Sequence, residues 1–165
     1  MAIFYLDTSA LVKRYRTERG ADVIGHLLTD PPPEDRFYIS FLTTLELISG
    51  IWRLVTGGQL REDLARAILA RFRQDALELF RVWPLNDEMV TSAVSVVERF
   101  RLRSGDAIHL ATALELSRVQ PGAQFVMVSA DGELLDASST AGLATLNPEE
   151  AGALQQLSTM RQSGV

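Results

Sequence analysis

The sequence predicts an α/β domain: a central parallel sheet of about four or five strands with helices on both faces. Two observations carry this. The strand-like segments are short and almost wholly apolar, as strands covered on both faces are. The longer segments between them repeat their apolar residues at helical spacing. Residues 3–6, "IFYL", read as the first buried strand, and helical periodicity starts over 9–16. A second helical stretch covers about 20–28, and "TDPPPEDR" is a loop, because three consecutive prolines supply no backbone donors. "FYIS" (37–40) is the next strand. "FLTTLELISGIWRLVTGG" follows as a helix, with Leu42, Leu45, Ile48, Ile51, Trp52 and Val55 near one face and Gly57-Gly58 as its stop. A long helix over 60–79 leads to a strand in "FRVWPL". Residues 87–100 form a helix with Met89, Val90, Ala93, Val94 and Val97 on one face and Asp87 as its cap, and "SGDAIHLATALELSR" is another, opening near Ser104. "QFVMVS" and "GLATLN" are the last strands. This organisation implies one domain over 1–148 and a weakly structured tail over 149–165.

Composition narrows the chemistry. The 165 residues are 47% apolar and 22% charged, enough for a real core. With no cysteine and only two histidines, His26 and His109, any metal would be held by oxygen. The absence of cysteine fits a reducing cytoplasm, and no apolar run has the length of a signal-peptide core or a membrane span, so a cytoplasmic protein is expected. The formal net charge of -5 argues against a general nucleic-acid coat. Basic residues nevertheless gather in "KRYRTER" (Lys13, Arg14, Arg16, Arg19) and "RFRLRSGD" (Arg99, Arg101, Arg103), each beside an acid of interest.

The first acid is Asp7, where the first strand stops. It can cap the helix that follows, or it can point from the carboxyl end of the strand into the crevice where α/β sheets bind ligands; both readings stand. "FVMVSADGELL" repeats the arrangement with Ser129 and Asp131. If the two strands are adjacent and parallel, their ends lie about 5 Å apart. Asp106 falls in the first turn of a helix, which also suits a charge favoured by the helix dipole. Glu46 lies among apolar residues and is either on an exposed helix face or turned inward. Four carboxylates brought together repel unless a cation neutralises them, and an oxygen-only set suits Mg²⁺ or Mn²⁺, which bridge carboxylates to phosphates. Arginines beside the acids suit a polyanionic substrate.

"YLDTSALVKRY", "TTLELISG", "LRSGDAIHLATAL" and "FVMVSADGELL", in this order, resemble the PIN-domain family, and within it the VapC-type toxins of bacterial toxin-antitoxin pairs. The resemblance spans residues 5–135. It implies a single α/β domain and Mg²⁺- or Mn²⁺-dependent endoribonuclease activity on an RNA substrate. Carried onto this chain, the family's acids are Asp7, Glu46, Asp106 and Asp131, with hydroxyls at Ser9 and Ser129. Asp7 and Asp106 are then expected to bind the metal. Asp131 is expected to join them on the same ion or, with Glu46, to hold its waters or a second ion. Ser9 and Ser129 orient these ligands, and a metal-activated water attacks in line to leave a 5′-phosphate and a 3′-hydroxyl. Arg14, Arg101 and Arg103 are the candidate phosphate contacts. A homodimer and a cognate antitoxin, whose carboxy-terminal arm covers the acidic groove, are also implied. His109, three residues after Asp106, reads as a histidine bonded or packed beneath the site rather than as a general acid, and Trp52 and Trp83 as core or dimer packing rather than base-stacking platforms. An Asp-nucleophile phosphatase is a rival reading, but it needs a second Asp two residues after the first, where this chain has Ser9. A PIN fold kept as a non-catalytic interaction module is the other, and its mark would be a lost acid.

Overall fold

The structure is a computed structural model that describes residues 1–162. Five parallel strands form one sheet in the order β3-β2-β1-β4-β5: β1 (Ala2–Leu6), β2 (Arg36–Ser40), β3 (Phe80–Trp83), β4 (Gln124–Val128) and β5 (Ala144–Leu146). The chain builds outward from β1 to β3 on one side, then returns to place β4 and β5 on the other. The reversal leaves a crevice at the carboxyl ends of β1 and β4, the place where open α/β sheets bind ligands.

β1 is buried along its whole length, and its alternation feeds two cores. Phe4 and Leu6 point to one face, packed with α2 (Ala21–Leu28), α3 (Phe41–Thr56) and α4 (Glu62–Glu78). Ile3 and Tyr5 point to the other, packed with α5 (Asp87–Phe100), α6 (Ser104–Val119) and α7 (Gly132–Thr140). No helix among the described residues is long and apolar enough to cross a membrane.

Several local expectations change. The stretch after β1 is one short helix, α1 (Thr8–Leu11), tightening into a 3₁₀ turn over Val12–Arg14, because Lys13 is drawn inward to Glu18 and Glu149. The cap of α5 is Asn86, whose Oδ1 accepts the Met89 amide at 2.8 Å, and not Asp87, which lies in the first turn. On α5 the core takes Met89, Ala93 and Val96, whereas Val90 (46% exposed), Val94 (55%) and Val97 (37%) face outward. Those valines were expected on the core face. The apolar residues of α5 are too many for one stripe, and spacings of four and three pick out Met89, Ala93 and Val96.

The expected weak tail over 149–165 is corrected for its described residues; 163–165 lie outside them. Helix α8 (Ala153–Gln162) buries Ala153 and Leu157 in the first core. The Arg161 guanidinium ties it down, donating to Asp35 at 3.0 Å and to the Leu27 carbonyl at 2.9 Å and lying over the Phe4 ring. Leu157→Ala is expected to cost about 2–5 kcal/mol, the ordinary range for emptying a buried leucine site. Urea unfolding measures it, and an unchanged midpoint would mean that α8 is not part of the core.

Candidate active site

The carboxyl end of β1 carries Asp7, which is 4% exposed and held from three sides. The Ala10 amide donates to its Oδ1 at 2.9 Å, the bond of a helix cap. Ser129, at the end of β4, donates to Oδ2 at 2.8 Å. Ser9 lies 2.9 Å from both carboxylate oxygens and has one proton to give, so one Asp7 lone pair stays uncommitted. Ser9 also joins the strand ends by accepting the Ala130 amide at 2.8 Å, and Ser129 accepts the amide of Asp131, two residues on, at 3.0 Å. Burial pushes the Asp7 carboxyl above its usual range, against the pull of His109 and of these donors.

Asp131 caps α7, its Oδ1 accepting the Leu134 amide at 3.0 Å. Asp106, in the first turn of α6, accepts no hydrogen bond from any described residue. Its carboxyl is raised by partial burial and then by the negative charges of Asp131 and Asp7, against the pull of His109 and Arg103. Asp106 therefore feels both of the other aspartates.

Glu46 turns inward from the second turn of α3, where β2 and the Ser40–Thr43 capping box place it. Its Oε2 accepts from the Thr8 hydroxyl and from His109 Nε2, the latter at 3.0 Å. Its Oε1 has no hydrogen-bond partner among the described residues, and a Cβ at Gly105 would stand 3.1 Å from it. His109 is 2% exposed, and its Nδ1 lies 2.8 Å from the Tyr5 hydroxyl. Burial opposes a charge on His109, whereas the Tyr5 oxygen, the Glu46 bond and Asp7 push its pKa up, and the ring is bonded at both nitrogens. Glu46 is correspondingly held below its usual range: burial raises it, but the His109 and Thr8 bonds outweigh that.

The structure thus brings Asp7, Ser9, Glu46, Asp106, His109, Ser129 and Asp131 to one sheet edge. It does not bring Arg14, whose Nε donates to buried Asp75 at 3.1 Å; Tyr15 and Arg71 bind the same carboxylate. Arg101, which closes α5 at φ 60°, and Arg103, which precedes α6, are exposed; Arg103 pulls on Asp106, whereas Arg101 lines a separate hollow with Glu133 and Asp136. Trp52 packs on the first core under the Arg66 guanidinium, and Trp83 on the second, edge-on to Tyr38. Sequence reasoning missed Tyr5, Thr8 and Gly105. Thr8 alone carried a signal, a second hydroxyl beside Asp7. A groove of about 550 Å³ opens beside the acids, lined by Thr8, Ser9, Glu46, Arg16 and Arg53 with an apolar floor that includes Leu47 and Ile51.

No three Asp, Glu or His side chains among the described residues close on a single point as a finished metal cage. Mg²⁺ needs none, since it keeps several waters and is commonly held by one or two carboxylates. The donor set fits such an ion: hard oxygens, two of them on unbonded Asp106, in a cluster whose mutual repulsion a cation relieves. Asp106→Asn is accordingly expected to raise the melting temperature of the metal-free protein at neutral pH. A raised folded pKa means that the ionised form is the strained one. The gain is therefore fullest above the folded pKa and fades as pH falls through it. Melts in chelator across pH test this, and a lower melting temperature for the variant at neutral pH contradicts it.

The PIN domain family model matches residues 4–134. The chain is 34% identical over 149 residues to "Ribonuclease VapC35" and 32% over 148 to "Ribonuclease VapC46", both of Mycobacterium tuberculosis, each match covering 90% of this chain and 99% of the relative. A toxin-antitoxin complex from Klebsiella pneumoniae contains a chain of the same fold, with a TM-score of 0.55 at 24% identity over 92% of this chain and 100% of that one. A family model matched over most of its length, and relatives similar from end to end, mean that this chain belongs to the PIN domain family.

Proposed function

We propose that this protein is a divalent-metal-dependent endoribonuclease and the toxin of a type II toxin-antitoxin pair, with Mg²⁺ or Mn²⁺ as its cofactor. The observation that carries this reading is the uncompensated crowding of Asp106 against Asp131 and Asp7, beside a groove edged by arginines. The ribonuclease names of its relatives and the toxin-antitoxin complex with the same fold support it.

In this reading Asp106 and Asp131, with the uncommitted lone pair of Asp7, hold the ion. Ser9 and Ser129 fix the Asp7 carboxylate, and Glu46 orients a water through its unbonded Oε1. The ion, when bound, supplies an activated water and neutralises charge on the phosphodiester undergoing in-line displacement. Arg101 lines a separate hollow with Glu133 and Asp136, whereas Arg16 and Arg53, which line the groove, and Arg103, which acts on Asp106, are placed to hold RNA phosphates. Arg14, committed to Asp75, is not among them. The same groove, apolar below and charged at its rim, is where the arm of an antitoxin would lie. Val90, Val94 and Val97 leave α5 with an exposed apolar face, which supports a homodimer. The absence of cysteine supports a cytoplasmic setting. An Asp-nucleophile phosphatase is not favoured, because the position two residues after Asp7 is a serine already bonded to it. An interaction module that has lost its chemistry is not favoured either, because all four acids are in place.

Purified protein free of antitoxin is expected to cut total bacterial RNA into discrete fragments with Mg²⁺ or Mn²⁺ and not with chelator. Asp7→Asn is expected to lower the rate by at least about 100-fold, the scale on which a positioned metal or electrostatic group contributes. Cleavage by the variant at the wild-type rate sinks the assignment, and intact RNA with the wild-type protein sinks the nuclease reading. Light scattering is expected to give twice the chain mass, and Val94→Glu the mass of a single chain.

A further inference from the structure

Three elements meet at one carboxylate of the site, and the line of contacts runs on to a fourth, β1, in the core. Glu46 Oε2 receives Thr8 from the start of α1 and His109 Nε2 from α6, and His109 Nδ1 lies 2.8 Å from the Tyr5 hydroxyl on β1. Tyr5 is wholly buried and His109 nearly so, and neither has a role in the chemistry set out above. A buried tyrosine hydroxyl needs a partner, and here that partner is the ring that grips the site's glutamate. The imidazole is bonded at both nitrogens, so its rotation about χ2 is fixed from behind, by Tyr5. Without that bond the ring is free to tilt, and the Nε2 contact to Glu46 tilts with it. Tyr5 meets the ring at an interplanar angle of 57°, a tilted contact rather than a stack, so its hold on the ring is the hydroxyl bond. On the other side of Glu46, Gly105 leaves no Cβ to wedge the carboxylate, so its orientation depends on hydrogen bonds.

We propose that Tyr5 is a positioning residue that acts through His109 to fix the orientation of Glu46, leaving its Oε1 aimed into the acidic cluster. The proposal rests on the ribonuclease reading for its consequence in catalysis, but the positioning itself is a property of the metal-free chain. Tyr5 touches neither substrate nor metal. Its removal is therefore expected to act on turnover and not on substrate binding.

The test is Tyr5→Phe, which keeps the ring and removes only the hydroxyl, measured in the full-length protein in two ways. The first is the carboxyl ¹³C resonance of Glu46 together with the ring ¹⁵N resonances of His109 in metal-free protein, read against wild type. All are expected to shift, with Glu46 moving although Tyr5 does not touch it. The second is steady-state cleavage of a single RNA oligonucleotide identified from the wild-type digest. There kcat is expected to fall about tenfold, the lower end of what partners of site ligands contribute, with KM unchanged. In a Glu46→Gln background the same Tyr5→Phe change is expected to cost less than in wild type, because the path through Glu46 has already been altered.

An unmoved Glu46 resonance in Tyr5→Phe overturns the proposal. So does a full additional loss in the Glu46→Gln background, which would mean that Tyr5 acts by a path other than Glu46. If the wild-type protein cuts no RNA but the Glu46 resonance moves, the positioning stands and the ribonuclease reading falls. If it cuts RNA and the resonance does not move, the reverse holds.

Discussion

The structure depends on a single buried carboxylate. Asp7 ends a strand whose five residues are all buried, so whatever follows β1 emerges from the middle of the sheet with no water to satisfy it. An isolated charge there would be prohibitive. Asp7 is tolerated because four donor contacts from Ala10, Ser9 and Ser129 converge on it. Those contacts also set the local architecture. The Ala10 bond starts α1, and the serines clasp β1 to β4 beyond the last ladder bond, Asp7 N–H to the Val128 carbonyl at 3.1 Å. The cap role of Asp7 is therefore compatible with the site role proposed for it. Capping fixes its orientation, and burial keeps its charge poised.

The other aspartates follow the same rule. Asp106 and Asp131 stand at the first turns of α6 and α7, where backbone N–H groups favour negative charge. Helix starts supply enough stabilisation to hold three acids near one another, and too little to cancel their repulsion, as raised Asp106 records. His109 pulls on Asp7, Glu46 and Asp106 alike, and Arg103 adds to that pull at Asp106. The Asp106 carboxyl is raised nevertheless, and it accepts no hydrogen bond from the described residues. A cation bound there would relieve that crowding and add to the stability of the fold.

What could be seen in the sequence followed from short-range physics. Buried parallel strands are continuously apolar, and an acid or hydroxyl at their ends stands out against that background; this is why Asp7, Ser129 and Asp131 were visible. What could not be seen depended on partners distant in sequence. Arg14 looked like a free cation until Asp75, 61 residues away, was folded beside it. Helix α8 has too few apolar residues to announce itself and owes its place to Arg161 reaching Asp35 across 126 residues. On α5, periodicity found the apolar residues but not which of two stripes the core would take. The Asn86 cap was hidden by an adjacent Asp87 of equal propensity.

Glu46 shows why such a site is harder to read than a strand end. Its neighbours Leu45, 66% exposed, and Leu47, 2% exposed, bracket it at the boundary between the outer and inner faces of α3, so helical spacing leaves its direction undecided. Its direction is decided instead by Thr8, His109 and the missing side chain at Gly105, one from each of two other helices and one from a helix start. None of these lies within 30 residues of it in sequence. A glutamate so placed holds its geometry only while α1, α3 and α6 keep their mutual packing. Loosening that packing at any of the three, by a partner arm entering the adjoining groove or by a substitution far from the acids, reorients one carboxylate without unfolding the domain. Strand-end aspartates are fixed by the sheet. This helix glutamate is fixed by the agreement of separate elements, which makes it the member of the acidic set most sensitive to what binds beside it.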